Sequence, residues 1–264
     1  MSEHGERVVV VTGASAGIGA ATALLLAERG TCVVLAARRE DKLAEVVSRC
    51  GAKAHAVVAD VTKRADHETI LASALERFGH VDVWINNAGR GISRTVSELT
   101  DADLDDMMLV NVKSALYGMQ TVLGHFRDRK KGHLVNVSSL LGRMPLAPIR
   151  SAYSASKHAL NALTASFRME LRAELPEVTV SSVHPGVVAT EFGLNALHGG
   201  FDSRTLPGAQ SAEEVAQVIV ELVDHPRADV YTRPGAREMI AAYYATDDMG
   251  QAESMPPFMV PPRR

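Results

Sequence analysis

Tyr153 and Lys157 stand four residues apart in the segment "YSASK", a spacing that sets both side chains on one face if the segment is helical. A free phenol titrates near pH 10 and is a poor proton carrier at neutrality. An ammonium about 4 Å away, at an effective dielectric of about 20, favours the phenolate by roughly 4 kcal/mol. That corresponds to as much as about three pKa units. The pair therefore predicts a general acid/base, with Tyr153 exchanging the proton and Lys157 lowering its pKa. A second chemical signal lies in "VVVVTGASAGIG", Val8 to Gly19, where four valines run into Gly13, Gly17 and Gly19. Glycine is used where φ must be positive or where a side chain would collide. A glycine turn that opens a helix after a strand points main-chain N–H groups and a helix N-terminus beyond the strand end. This geometry binds the pyrophosphate of a dinucleotide.

These groups need elements to position them. Short apolar runs at 7–12, 32–36, 54–58, 81–86, 133–137, 178–183 and 228–231 read as strands. Between them, 17–29, 40–49, 65–78, 101–127, 152–175 and 212–224 carry helical patterns. Strands apolar on both faces and separated by helices imply a parallel sheet covered on both sides. The expectation is an α/β fold: a single-domain, doubly wound, Rossmann-type sheet of seven parallel strands over residues 1–250. A substrate lid is expected near 190–210, and a proline-rich tail at 251–264.

The chain has 264 residues and a formal charge of −3, which gives no electrostatic case for nucleic acid or an anionic membrane. No apolar run is long enough to span a bilayer, and the N-terminal residues lack the basic and apolar regions of a secretory signal. Only two cysteines, Cys32 and Cys50, are present, so a reducing, cytoplasmic setting is expected. No metal site is expected.

In order along the chain, "TGASAGIG" (Thr12–Gly19), "NNAG" (Asn86–Gly89), "NVSS" (Asn136–Ser139), "YSASK" (Tyr153–Lys157) and "HPGVVAT" (His184–Thr190) together resemble the signatures of the short-chain dehydrogenase/reductase family. The resemblance implies a nicotinamide cofactor and hydride transfer between a ketone or aldehyde and an alcohol. It implies that Ser139 polarises the substrate oxygen, since Ser139 lies three residues before Gly142, with Ser138 behind it. The segment from Ser139 to Tyr153 is one residue longer than the family's commoner spacing, which is read as a longer loop around Pro145–Pro148. Lys157 would also hold the nicotinamide ribose, and Asn111 would hold a water linking the lysine to solvent. Gly13, Ser15, Gly17, Ile18 and Gly19 would cradle the phosphates and adenosine ribose. Asp60 and Val61 would flank the adenine, and Asn87, Ala88 and Gly89 would line the ribose crevice. Pro185, Gly186, Val188 and Thr190 would border the nicotinamide, with His184 a packing residue.

An NAD enzyme of this architecture usually ends its second strand with Asp or Glu, which accepts from the ribose hydroxyls. Here Ala37 stands at that place and Arg38 and Arg39 follow. A guanidinium grips a 2′-phosphate bidentately, so NADP is expected, with Arg38 as the main contact. After Thr190, Phe192, Leu194, Leu197 and Phe201 accompany the Gly199–Gly200 pair, as expected of a mobile lid over a small, apolar carbonyl or alcohol substrate. The small-residue face of "ALNALTASF" and the helix at 101–127 commonly pair subunits in the family, implying a homodimer or homotetramer. Two other readings compete: a nucleotide-sugar epimerase or dehydratase, and a cofactor-binding sensor or scaffold without turnover.

Overall fold

The computed structural model describes residues 6–255 and 257; most of the proline-rich tail lies outside them. The four valines of the first strand, β1 (Val8–Thr12), alternate between two cores. Val9 and Val11 join one apolar cluster and Val8 and Val10 the other, as the two-residue period of a strand requires. Every residue of β1 is buried because both faces of the sheet are covered. The same holds for β2 (Cys32–Ala37) and β4 (Val83–Asn86). The edge strand β3 (Ala54–Val58) is largely exposed. β5 (Gly132–Val137), β6 (Val178–His184) and β7 (Asp229–Tyr231) complete a parallel sheet in the order β3-β2-β1-β4-β5-β6-β7. The sheet and its seven strands are those expected from the sequence.

The helices between the strands are α1 (Gly17–Glu28), α2 (Glu40–Cys50) and α3 (Arg64–Phe78) on the first half of the sheet. On the second half, α6 (Ser151–Glu174) and α7 (Ala212–Asp224) follow β5 and β6. The helix expected at 101–127 is interrupted. α4 (Asp101–Met108) passes through a π-helical segment, Leu109–Lys113, into α5 (Ser114–Arg129). The Ser114 hydroxyl donates to Val110 O at 2.6 Å and so competes with the regular ladder. Asn111 sits in this bulge, the kind of insertion often found at functional sites.

The sequence reading assigned no element after β7, whereas α8 (Ala236–Tyr244) and α9 (Met249–Glu253) follow it. Their Met239, Ile240, Tyr243, Met249 and Ala252 close over Met144 and Leu146. The folded part therefore runs past 250, because these residues cover the loop before α6.

A buried amide relay ties the strands to α6. Asn86 Nδ2 donates to Asn136 Oδ1 at 2.9 Å, Asn136 Nδ2 donates to Thr164 Oγ1 at 2.9 Å, and Trp84 Nε1 donates to Asn86 Oδ1 at 2.9 Å. Asn136→Ala should lower the unfolding free energy by about 1–3 kcal/mol for each buried group left unpaired, measurable by urea denaturation.

Candidate active site

The sheet order reverses between β1 and β4, and in open α/β sheets the crevice beyond such strand ends is where ligands bind. Thr12, at the end of β1, stitches the two loops together. Its Oγ1 accepts from Asn87 N at 3.1 Å and Ala88 N at 3.2 Å and donates to Ile85 O at 3.3 Å. Asn87 Nδ2 donates to Thr12 O at 2.9 Å, so this side chain is turned to the β1 turn. Gly13 has φ +68°, and a β-carbon on it would stand 2.8 Å from Ala88 Cα. A β-carbon on Gly19 would meet Asn87 Nδ2 at 2.5 Å. The body that crowds these two glycines is thus the chain's own 87–88 segment. Gly17, with φ +55°, instead faces Thr190, whose Cγ2 would lie 3.3 Å from an added β-carbon. Ala16 precedes α1 without a side-chain cap, and no acidic residue stands in the first turn. The helix start keeps its N–H groups for an outside acceptor.

At the end of β2, Ala37 is buried and supplies no carboxylate. Arg39 lies across the glycine turn, donating to Ser15 Oγ from Nε at 3.3 Å and Nη2 at 3.1 Å. Arg38, put foremost from the sequence, is exposed beside it, and its charge also reaches Asp60. Burial alone would raise the Asp60 carboxyl. The Thr62 N–H and hydroxyl, at 3.1 and 2.8 Å, together with Arg38 and Lys63 hold it below its usual range. Val61 O lies 2.9 Å from His67 Nε2.

The proton-carrying groups meet beyond β5. Ser139 caps a single turn of 3-10 helix, its Oγ accepting from Leu141 N at 3.1 Å, and its side chain acts on the Tyr153 phenol, lowering its pKa. The neighbouring Ser138 Oγ is buried and finds no partner. Tyr153 and Lys157 are both buried on the first turns of α6. Lys157 Nζ donates to Val137 O at 2.9 Å and lies 5.8 Å from the Tyr153 ring centroid.

One expectation is corrected here. Burial pushes the Tyr153 phenol up to about 12, against the lowering effects of the Ser139 hydrogen bond and the Arg150 charge. Lys157 is pushed down to about 8 by the same burial. Desolvation of both groups outweighs a Coulomb attraction that the spacing alone had placed at about 4 Å. The cation that acts on the phenol is Arg150, three residues earlier.

Asn111 joins this group by clamping it. Its Oδ1 accepts from Arg90 N at 2.9 Å, and its Nδ2 donates to Arg90 O at 2.9 Å and to Ser156 Oγ at 3.1 Å. Both amide protons are taken up, so a relay water has only the second lone pair of Oδ1. A β-carbon on Gly89 would lie 3.1 Å from Asn111 Oδ1 and 3.6 Å from Lys157 Nζ; its absence leaves a hollow between them.

Beyond β6, Pro185 O accepts from Leu140 N at 2.8 Å, and an added β-carbon on Gly186 would meet Arg233 Nε at 2.4 Å. Val188 bridges to Gln210, while Thr190 Oγ1 accepts from Phe192 N at 3.3 Å. His184 Nε2 lies 3.0 Å from Asp229 Oδ1 and Nδ1 lies 3.4 Å from Ser139 O, so it backs the serine from inside. Burial pushes the His184 pKa down, against the raising effect of Asp229. In the segment expected as a lid, Phe192 packs edge-on against Tyr153 with ring centroids 5.6 Å apart. Leu197 N donates to Gly91 O at 2.8 Å. Leu194 and Phe201 face outward instead, 45% and 65% exposed, because the segment folds as turns rather than as one amphipathic helix. It is fastened by His198, whose Nε2 lies 2.6 Å from Asp103 Oδ1. Sequence reasoning did not single out Arg150, which lies two residues beyond the loop read around Pro145–Pro148.

An uncapped helix start beside a positive-φ glycine turn suits the pyrophosphate of a dinucleotide. Comparison with known proteins agrees. The sequence model of the family described as short chain dehydrogenase matches residues 7–198. An uncharacterized oxidoreductase of Bacillus subtilis (strain 168) is 36% identical over 233 residues, covering 86% of this chain and 65% of the relative's length. One from Listeria monocytogenes is 34% identical, over 83% of this chain and 91% of its own. Among solved structures, a short chain dehydrogenase/reductase from Burkholderia phymatum in complex with NAD superposes with a TM-score of 0.83 at 28% identity, covering 92% of this chain and 95% of that one. An alcohol dehydrogenase from Thermococcus sibiricus complexed with 5-hydroxy-NADP gives 0.74 at 29% identity over 86% and 95%. A serine dehydrogenase complexed with NADP+ gives 0.79 at 26% identity over 85% and 93%.

Proposed function

The chain belongs to the short-chain dehydrogenase family, and from that premise we propose that it is an NADP(H)-dependent oxidoreductase interconverting a ketone or aldehyde and an alcohol. The observation that carries the reading is Tyr153 buried with the Ser139 side chain acting on its phenol, and Lys157 buried one helical turn away. The nicotinamide, when bound, supplies or accepts the hydride. The helix start at Gly17 and the turn residues Gly13, Ser15, Ile18 and Gly19 would hold the phosphates, with Arg39 and Arg38 toward a 2′-phosphate. Asn87, Ala88, Gly89 and Lys157 would hold the ribose. Pro185, Gly186, Val188 and Thr190 would orient the carboxamide. Asp60 and Val61 would flank the adenine.

The chain's own chemistry is proton delivery. With its pKa raised to about 12, Tyr153 is protonated at neutrality, the form needed to donate to the oxygen of a carbonyl being reduced. Ser139 donates to the same oxygen and orients it. The Lys157 ammonium offsets the charge left on the phenol, and Asn111 holds α6 and the Arg90 loop in register around it. Because Lys157 titrates near 8, its charge is present below that pH and lost above it. Carbonyl reduction should therefore be level toward neutrality and fall as the pH rises through about 8, whereas alcohol oxidation, which needs the phenolate, should rise. Screening ketones and aldehydes with NADPH by absorbance loss, then taking the pH profile on the best of them, tests both statements. No oxidation of NADPH or NADH with any of them would overturn the reading.

A homodimer or homotetramer paired through α5 and α6 belongs to the same proposal, supported by the 65% exposure of Met169 and 37% of Leu163 on α6. The free state of Cys32 and Cys50 suits the cytoplasm.

A further inference from the structure

The loop ahead of α6 places a guanidinium whose charge reaches the Tyr153 phenol. Arg150 Nη1 donates to Ile92 O at 3.0 Å. Its Nε and Nη2 meet no acceptor among the described residues, and it makes no ion pair there. Several other half-buried arginines do, Arg129 with Asp82 at 2.9 Å, Arg143 with Asp229 at 2.6 Å and Arg168 with Asp229 at 3.3 Å, whereas Arg233 bonds only backbone carbonyls. A half-buried cation without a counter-charge costs desolvation that nothing in the fold offsets. The surroundings of Arg150 are those of the substrate side. A β-carbon on Gly91 would stand 3.2 Å from Arg150 Nη1 and 2.9 Å from Phe192 Cε1, the ring that packs on Tyr153. A β-carbon on Gly200 would stand 3.2 Å from Arg150 Nη2 and 3.0 Å from Ser93 Oγ. Ser93 Oγ is itself buried without a partner. The free edge of the guanidinium and an unused hydroxyl thus face the same place beside Gly200, where the Gly193 carbonyl also lies close and only glycine fits.

We propose that Arg150, assisted by Ser93, anchors a carboxylate of the substrate, so that the chain acts on small oxo acids and the matching hydroxy acids. The planar fork of arginine suits a carboxylate bidentately. The carbon skeleton between the two polar ends lies along Phe192, the partly exposed ring that packs on Tyr153. The apolar lining expected from the sequence describes this wall and leaves out the cation at its end. The proposal rests on the reductase reading above and refines its substrate class.

The test compares straight-chain 3-oxo and 4-oxo acids with their methyl esters in NADPH oxidation by the full-length protein. The wild type should favour acid over ester in kcat/KM. Arg150→Met should lower that acid-to-ester ratio by about tenfold to hundredfold, whatever happens to the ester rate itself, and Arg150→Lys should restore part of it. A merely structural arginine would change both substrates together and leave the ratio where it was. Equal or better turnover of the esters by the wild type, or an unchanged ratio in Arg150→Met, overturns the proposal. Should Arg150→Met fail to fold, the wild-type ratio and Arg150→Lys decide. Turnover of neutral ketones or aldehydes with none of the acids removes the carboxylate anchor and leaves the reductase intact. Turnover of no carbonyl compound at all removes both.

Discussion

Replacing Tyr153 by phenylalanine should lower kcat by about 10²–10⁴-fold, the usual contribution of a positioned general acid, with NADPH still bound. The substitution keeps the ring that packs edge-on against Phe192 and removes only the oxygen. Ser139 Oγ retains Leu141 N as its partner, so the cap of the 3-10 turn survives and the fold should not be disturbed. Lys157 keeps Val137 O. Loss of turnover would then be loss of the proton donor alone. Nucleotide binding can be followed by fluorescence titration and stability by thermal unfolding. If the variant reduces carbonyl compounds at the wild-type rate, Tyr153 is not the acid; if it fails to bind NADPH, the hydroxyl has a role in holding the nucleotide that outweighs its role as donor. Ser139→Ala should lose less, because it removes an orienting hydrogen bond and leaves the proton source.

Local patterns made the sheet and the strand-end motifs legible. The alternation of Val8 to Val11 into two cores follows from a period of two, and an i, i+4 pair lies on one helix face wherever it is buried. The direction of the Tyr153 pKa was not legible, since spacing carries no measure of desolvation, and both Tyr153 and Lys157 are buried. Nor was the π segment at Asn111: one residue inserted into a continuous amphipathic stretch leaves its composition unchanged, and only the Ser114 bond to Val110 O marks the place. α8 and α9 are short and their apolar residues few, so nothing in their periodicity announces the packing on Met144. Arg150 reads as a loop cation until the fold brings Ile92, Gly91 and Gly200 around it. The outward turn of Leu194 and Phe201 was not legible for a related reason: four apolar residues in a segment share one inner face only if the segment is one helix.

The wild type should prefer NADPH over NADH by about tenfold to hundredfold in kcat/KM, the worth of a charge-assisted hydrogen bond, and Arg39→Ala should remove most of that preference by weakening NADPH. The carboxylate that would oppose a 2′-phosphate is missing, since β2 ends on Ala37. The guanidinium nearest the glycine turn is Arg39, held 3.1 Å from Ser15 Oγ. Arg38→Ala should cost less, because Arg38 already acts on Asp60. The two variants together order the contributions, which the sequence alone had ranked the other way. Both side chains are exposed, so their attraction for the phosphate is screened by ions, with a Debye length of about 8 Å at physiological ionic strength. The preference should consequently shrink as salt is raised, while NADH efficiency changes little. Equal efficiency with the two nucleotides at low salt would mean that the missing acid at Ala37, not the arginines beyond it, is all the cofactor site provides for discrimination, and the NADP assignment would fail.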